Sequence, residues 1–229
     1  MAQTLVIGDV HGCLHELEDL LDACAYASGD QLILVGDLVA KGPDSRGVLR
    51  LVRQLKARAV RGNHDQAVLR WHAALHAGTA PTQGTHHLRL ARSLDADDWS
   101  VLLALPLFLR LPEHAAIVVH AGLVPGIELE HQAPDLLMNM RTLRADGTGS
   151  RRAEDGVLWG SRWRGPDLVL FGHHALAGLQ RHPHAVGLDT GCVYGGKLSA
   201  YVLPQARVVS VPARDVYVPI DSEPPKGSS

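Results

Sequence analysis

Short apolar runs of strand length recur along this chain, and most of them end in a residue that can hold a metal ion. Residues 4–7 lead through Gly8 to Asp9, with His11 two positions on. Residues 31–35 lead through Gly36 to Asp37. Residues 57–60 are followed by Arg61-Gly62-Asn63-His64-Asp65, residues 115–119 by His120, residues 167–171 by Gly172-His173-His174, and residues 185–188 by Asp189. Two further runs, 198–203 and 207–211, lack this ending. In an open α/β sheet, ligands bind beyond the carboxyl ends of the strands. The pattern therefore predicts that side chains distant in sequence meet along one rim. The interleaved glycines suit that role, because glycine accepts positive φ and lets backbone pass close to a ligand.

Between the first runs the apolar period changes from two to about 3.6. Leu14, Leu17, Leu20 and Leu21 share one face of a helix expected over 14–26, and Val48, Leu49, Val52 and Leu55 do so over 45–56. Further helices are expected over 65–77 and 95–105, the last capped by Ser93 or Asp95 and stopped by Pro106. The opening order β-α-β-α-β-α favours a layered α/β fold. A chain of 229 residues with 46% hydrophobic content can bury one sizeable core, so one domain over residues 1–220 is expected, with 221–229 a disordered tail. Residues 79–87 and the arginine-rich stretch 128–165 carry no clear period. The second could be a solvated loop or a flap over an anionic substrate.

Lys and Arg number 22 against 24 Asp and Glu, a balance that argues against a broad nucleic-acid or membrane footprint. The three cysteines, Cys13, Cys24 and Cys192, form no CxxC pair, and Cys13 and Cys192 read as packing residues. With no basic leader and no apolar stretch of membrane length, a reducing cytoplasm is the expected location. The candidate ligands combine carboxylate, amide and imidazole. Such a set suits manganese, iron, cobalt, nickel or zinc better than calcium.

Gly8-Asp9-Val10-His11-Gly12, Gly36-Asp37-Leu38-Val39-Ala40-Lys41-Gly42 and Arg61-Gly62-Asn63-His64-Asp65 resemble the three signature motifs of the calcineurin-like metallophosphoesterases, and more closely those of the phosphoprotein phosphatase superfamily. The segment from Leu188-Asp189-Thr190-Gly191-Cys192 to Lys197-Leu198 is similar to the C-terminal signature of bacterial diadenosine tetraphosphatases. The resemblance implies mixed β-sheets flanked by helices in an α-β-β-α sandwich. It implies two divalent ions, manganese expected ahead of cobalt, iron, nickel or zinc. Asp9, His11 and Asp37 would hold the first; Asp37 would bridge to the second, completed by Asn63, His120 and His173. His64 would face the leaving group as general acid or transition-state stabiliser. Lys41, Arg61, Arg141, Arg162 and Tyr194 would contact substrate, with Trp71, Trp159 and Trp163 as further stacking candidates.

The implied reaction is in-line attack on phosphorus by hydroxide, which paired cations make available near neutral pH. The implied substrate is a dinucleoside polyphosphate, above all diadenosine tetraphosphate cut to two ADP. The alternatives are a Ser/Thr or Tyr phosphoprotein and a capped RNA 5′ end. Protein phosphatases of the superfamily carry Asp-Arg where this chain has Ala40-Lys41, and their Asp orients the catalytic histidine. Ala40 is expected to be tolerated because a nucleoside diphosphate leaves more readily than an alkoxide.

Overall fold

The structure is a computed structural model that describes residues 2–79 and 85–219. In chain order its strands are β1 (Thr4–Ile7), β2 (Gln31–Leu34), β3 (Arg58–Ala59), β4 (Phe108–Leu111), β5 (Ala116–Val119), β6 (Thr142–Leu143), β7 (Gly149–Ser150), β8 (Val157–Leu158), β9 (Leu168–Phe171), β10 (Gln180–His182), β11 (Ala185–Gly187), β12 (Lys197–Leu203) and β13 (Arg207–Pro212). The α-helices are α1 (Leu14–Ala23), α2 (Ser45–Gln54), α3 (Asn63–His76), α4 (Thr85–Ser93), α5 (Ala96–Ala104) and α6 (Pro134–Asn139).

Two five-stranded sheets face each other. One has the order β13-β12-β1-β2-β3, the other β10-β11-β9-β5-β4; β6, β7 and β8 form a small third sheet. Alternation along the strands divides the apolar side chains among three cores. Val6, Ile33 and Val35 meet Val118, Leu170 and Leu188 between the sheets. Leu5, Ile7 and Leu34 turn to the other side, against Leu17 and Leu20 of α1 and Val48 and Leu49 of α2. Ile117, Val119, Val169 and Phe171 project outward from the second sheet onto Leu137, Met140 and Trp159. Both faces of each sheet are thus covered, which explains why the strands read as continuous apolar runs. The outermost layer over the second sheet is the short α6 with its neighbouring turns and small sheet.

β1, β2 and β3 run parallel to one another, as do β5, β9 and β11. Their carboxyl ends carry the candidate ligands, so two sheets share the rim. Several boundaries differ from expectation. α3 begins at Asn63, because the Asp65 carboxylate accepts the Gly62 amide at 2.9 Å and closes the first turn. β4, β10 and α4 were not expected. Of the irregular stretch 79–87, residues 80–84 lie outside the described residues, as does the expected tail over 221–229. The stretch 128–165 contains α6 and the small sheet rather than one long flap. Glu16 of α1, fully buried, accepts from the Arg214 amide at 2.8 Å and the Tyr217 hydroxyl at 2.7 Å, which pins the chain after β13 to the first helix.

Candidate metal centre

The turn after each central strand is locked to its neighbour before it presents a side chain. The His11 amide donates to the Asp37 carbonyl (2.8 Å), and Gly12 to that of Leu38 (2.9 Å). Asp65, with no exposed surface, gathers four amides: Oδ2 accepts from Asp37 and Gly62, both at 2.9 Å, and Oδ1 from Leu38 at 3.0 Å and Val39 at 3.4 Å. Three candidate ligands occupy the left-handed region, His11 at φ 50°, Asp37 at 50° and His173 at 72°, and so do Ala40 at 73° and Lys41 at 69°. Such conformations cost of order 1–3 kcal/mol each and persist where surrounding structure over-determines them.

The resulting side chains converge. Carboxylate and ring-nitrogen atoms of Asp9, Asp37 and His120 lie within 4.8 Å of one another, and so do those of His11, Asp37 and His64. Asp37 Oδ2 stands 3.5 Å from His11 Nε2 and 3.6 Å from His120 Nε2, at the centre of both groups. Asn63 Oδ1 lies 3.0 Å from His120 Nε2 and 3.0 Å from His173 Nδ1. Asp9 accepts the His173 amide on both oxygens, at 3.1 and 3.2 Å.

Three imidazoles are anchored from behind. His11 Nδ1–H donates to the Val39 carbonyl (3.3 Å), His120 Nδ1–H to that of Val35 (2.9 Å) and His173 Nε2–H to that of Asn139 (3.1 Å). A carbonyl only accepts, so each ring keeps its hydrogen on the outer nitrogen. In its neutral form the inner nitrogen is then a bare acceptor facing the carboxylates. Burial pushes His11 and His173 well below the usual histidine range. Asp9 is raised well above the carboxylate range by burial and by Asp189 and Asp37, and Asp189 to about 6, mainly by burial. Burial would also raise Asp37, yet His120, His64, His11 and Lys41 outweigh it and hold this carboxyl below the ordinary range. A buried surface of converging acceptors is what a divalent cation satisfies, so the residues present fit such a group.

The family model described as Calcineurin-like phosphoesterase matches residues 2–202. The chain belongs to the calcineurin-like phosphoesterase family. It is a hydrolytic enzyme of a family that uses a binuclear divalent metal centre. A relative from Erwinia tasmaniensis named bis(5'-nucleosyl)-tetraphosphatase, symmetrical, is 43% identical, with 86% of this chain and 92% of the relative covered. One from Oceanobacillus iheyensis named bis(5'-nucleosyl)-tetraphosphatase PrpE [asymmetrical] is 30% identical, with 93% of each covered. A crystal structure of a protein assigned as a diadenosine tetraphosphatase superposes with a TM-score of 0.85 at 42% identity, covering 93% of this chain and 94% of that one.

The cluster opens into a cavity of ≈ 320 Å³ lined by His11, Asp37, Asn63, His64 and His173, with Lys41, Arg141, Asp189 and Tyr194 around them. Lys41 Nζ donates to the Tyr194 hydroxyl (2.7 Å) and reaches His11 Nε2 (3.2 Å). Leu176, Val218 and Pro219 form an apolar side. Two expected substrate contacts stand elsewhere. Arg61 does not line this cavity; it precedes α3, and its guanidinium donates to Gln66 in that helix at 3.2 Å. Arg162 lines a separate cavity of ≈ 550 Å³ with Arg144 and Asp155. Trp159 is core and donates to the Ala121 carbonyl, Trp71 is buried and Trp163 donates to the Asp167 carbonyl; none of the three lines the cavity at the ligand cluster.

Asp65 closes the Gly-Asn-His-Asp motif, yet nothing in that motif signals that it anchors the neighbouring turns; Asp189 and His174, candidates from their positions after strands, both line the cavity. The glycines carry a sharper constraint than backbone freedom alone. A Cβ on Gly62 would stand 2.1 Å from Asp37 Oδ1 and 2.4 Å from its amide nitrogen. Gly62→Ala is therefore expected to weaken manganese binding by roughly 10- to 100-fold, a loss of the size seen when a ligand's supporting contacts are disturbed. Calorimetric titration of the metal-stripped protein measures it, and wild-type affinity would show that Asp37 is not held by this approach.

Proposed function

We propose that this phosphoesterase hydrolyses dinucleoside polyphosphates, cutting diadenosine tetraphosphate symmetrically into two ADP. The observation that carries the reading is the composition of one cavity: a cluster of candidate metal ligands, two cationic side chains, Lys41 and Arg141, and an apolar side formed by Leu176, Val218 and Pro219. The first suits a reacting phosphate, the second a long polyphosphate, the third a base. The names of both relatives support the substrate class, and the more similar of the two, at 43% identity, is named for the symmetrical cut.

In this reading Asp9, His11 and Asp37 hold one divalent ion, and Asp37, Asn63, His120 and His173 hold the other, manganese ahead of cobalt, iron, nickel or zinc. When bound, the pair acidifies water and offsets charge on the phosphoryl oxygens. The chain's own residues do the rest. Arg141 and Lys41 bind the remaining phosphates, Lys41 as a point charge steadied by Tyr194. His64 faces the departing oxygen. Burial lowers its pKa to about 4, with Lys41 and His87 acting in the same direction and Asp37 opposing. Near neutral pH it is uncharged and can offer a hydrogen bond rather than a ready proton. That suffices for a nucleoside diphosphate, which departs as a stable anion, and serves an alkoxide poorly. No described helix is long and apolar enough to cross a membrane. We propose a cytoplasmic location, supported by three free cysteines, as a reducing compartment keeps them.

Chromatographic product analysis with diadenosine tetraphosphate, beside a phosphopeptide and a capped RNA, tests the proposal. ADP alone is the expected product. ATP with AMP would replace the symmetrical cut by the asymmetrical one, and phosphate released only from the peptide would overturn the substrate class.

A further inference from the structure

The Ala40-Lys41 sequence removes the acid that would orient the catalytic histidine in related protein phosphatases, yet the His64 ring is not left loose. His64 Nδ1 lies 3.0 Å from His87 Nε2, with the ring centroids 5.3 Å apart and the planes tilted by 30°. The opposite flank of His64 meets His11 edge-on at 5.0 Å between centroids, and its amide donates to Asp37 Oδ1 at 2.8 Å. The ring is thus held at one nitrogen, and Nε2 is the nitrogen left for the cavity that His64 lines.

We infer that His87, from α4, is a positioning residue that donates its Nε2–H to His64 Nδ1 and so sets the His64 tautomer. The physical consequence differs from that of an acid partner. A carboxylate accepts Nδ1–H, which leaves the cavity-facing Nε2 of a neutral imidazole bare, so that a second proton is needed before the ring can donate. A donor at Nδ1 does the reverse: the uncharged ring must carry its one hydrogen on Nε2, aimed at the departing oxygen. A His64 ring that accepts at Nδ1 is thereby a standing hydrogen-bond donor at Nε2, matched to a leaving group that needs stabilisation more than protonation. Two imidazoles in contact share one hydrogen between Nε2 and Nδ1, and no net proton transfer is required at this contact. The inference rests on the role given to His64 above and adds the residue and the tautomer through which that role is exercised.

The test is a double-mutant cycle on the full chain loaded with manganese, reading kcat and KM separately. His87→Ala is expected to lower kcat by ~10- to 100-fold with little change in KM, the scale on which loss of orientation at a reacting group acts. His87→Gln, whose amide can still donate, is expected to restore most of that loss, whereas His87→Glu, an acceptor when ionised, is not. Because His87 acts through His64, the His64→Ala/His87→Ala double variant is expected to match His64→Ala alone. Metal content and thermal midpoint of each variant, unchanged from wild type, separate positioning from damage to the fold. An undiminished kcat in His87→Ala, recovery by Glu as good as by Gln, or losses that multiply in the double variant would each overturn the inference. Running the cycle on diadenosine tetraphosphate and on p-nitrophenyl phosphate keeps the two readings apart. Turnover of the aryl ester alone contradicts the nucleotide substrate, while the cycle measured on that ester still decides the role of His87.

Discussion

Replacing Asp37 by asparagine is expected to reduce turnover at saturating manganese by roughly a hundred- to several-thousandfold, the equivalent of the ~3–5 kcal/mol lost when one member of a buried charged set is removed. Asp37 is the side chain common to both clusters of candidate ligands, within 3.6 Å of His11 and His120 and in one group with Asp9. It is also the carboxyl that the surrounding imidazoles and Lys41 keep ionised, against its own burial. Asparagine retains one oxygen and the volume but removes the charge that opposes two cations at once. It also places amide hydrogens against a ring nitrogen or against the His64 amide, which Asp37 Oδ1 accepts at 2.8 Å. Steady-state kinetics across a manganese titration, with the metal content of the purified variant, measure the effect. A variant that keeps two equivalents of metal and more than a tenth of wild-type turnover would remove Asp37 from the centre.

The largest loss of stability is expected at a residue that touches no substrate. Asp65→Ala leaves the amides of Asp37, Leu38, Val39 and Gly62 without their acceptor. At about 1–3 kcal/mol for each unsatisfied buried group, even partial relaxation leaves a cost of at least about 4 kcal/mol. That approaches the whole stability of an ordinary domain, about 5–15 kcal/mol. Asp65→Asn tests whether acceptor chemistry or volume matters: it keeps one oxygen for one pair of amides and turns an NH2 group toward the other pair. Both variants are expected to unfold at markedly lower denaturant and to lose manganese affinity, because the turns after β2 and β3 have Asp65 as their shared anchor. Burial and the nearby Asp37 raise this carboxyl to about 7, while the amides draw it down. Both oxygens accept from amides, whereas an amide isostere offers an acceptor on one side only, so it does not replace the anchor. Denaturant melts read by circular dichroism decide the point; an Asn variant as stable as wild type would refute it.

The parts of the molecule legible from the chain were those with local causes. Residues 4–7, 31–34 and 116–119 are strands because their apolar side chains fill cores on both faces, and α1, α2 and α5 follow their period and, in α5, the Asp95 cap. The ligand types after each strand followed from motif and order. Strand β4 was hidden because Phe108–Leu111 follows a proline with only four residues and one exposed arginine among them. Helix α3 begins two residues before the expected Asp65, because the carboxylate that closes its first turn is that of Asp65 itself, which also serves the neighbouring loop.

The order of residues along the chain dictates the kind of chemistry present: which donors exist and in which order, each after a strand that α/β packing aligns. Which side chains meet across the two sheets and the helices beside them emerges only from the packed layers. Arg162 and Arg141 look alike in an arginine-rich stretch, yet Arg141 lines the cavity beside His11, Asp37 and His173 and Arg162 another one. Nothing local to Thr85–Ser93 announces that His87 will lie against His64, 23 positions away. The reason is physical: strand and helix formation respond to neighbours in sequence and to apolar period, whereas the pairing of two polar side chains depends on distances set by how whole layers pack.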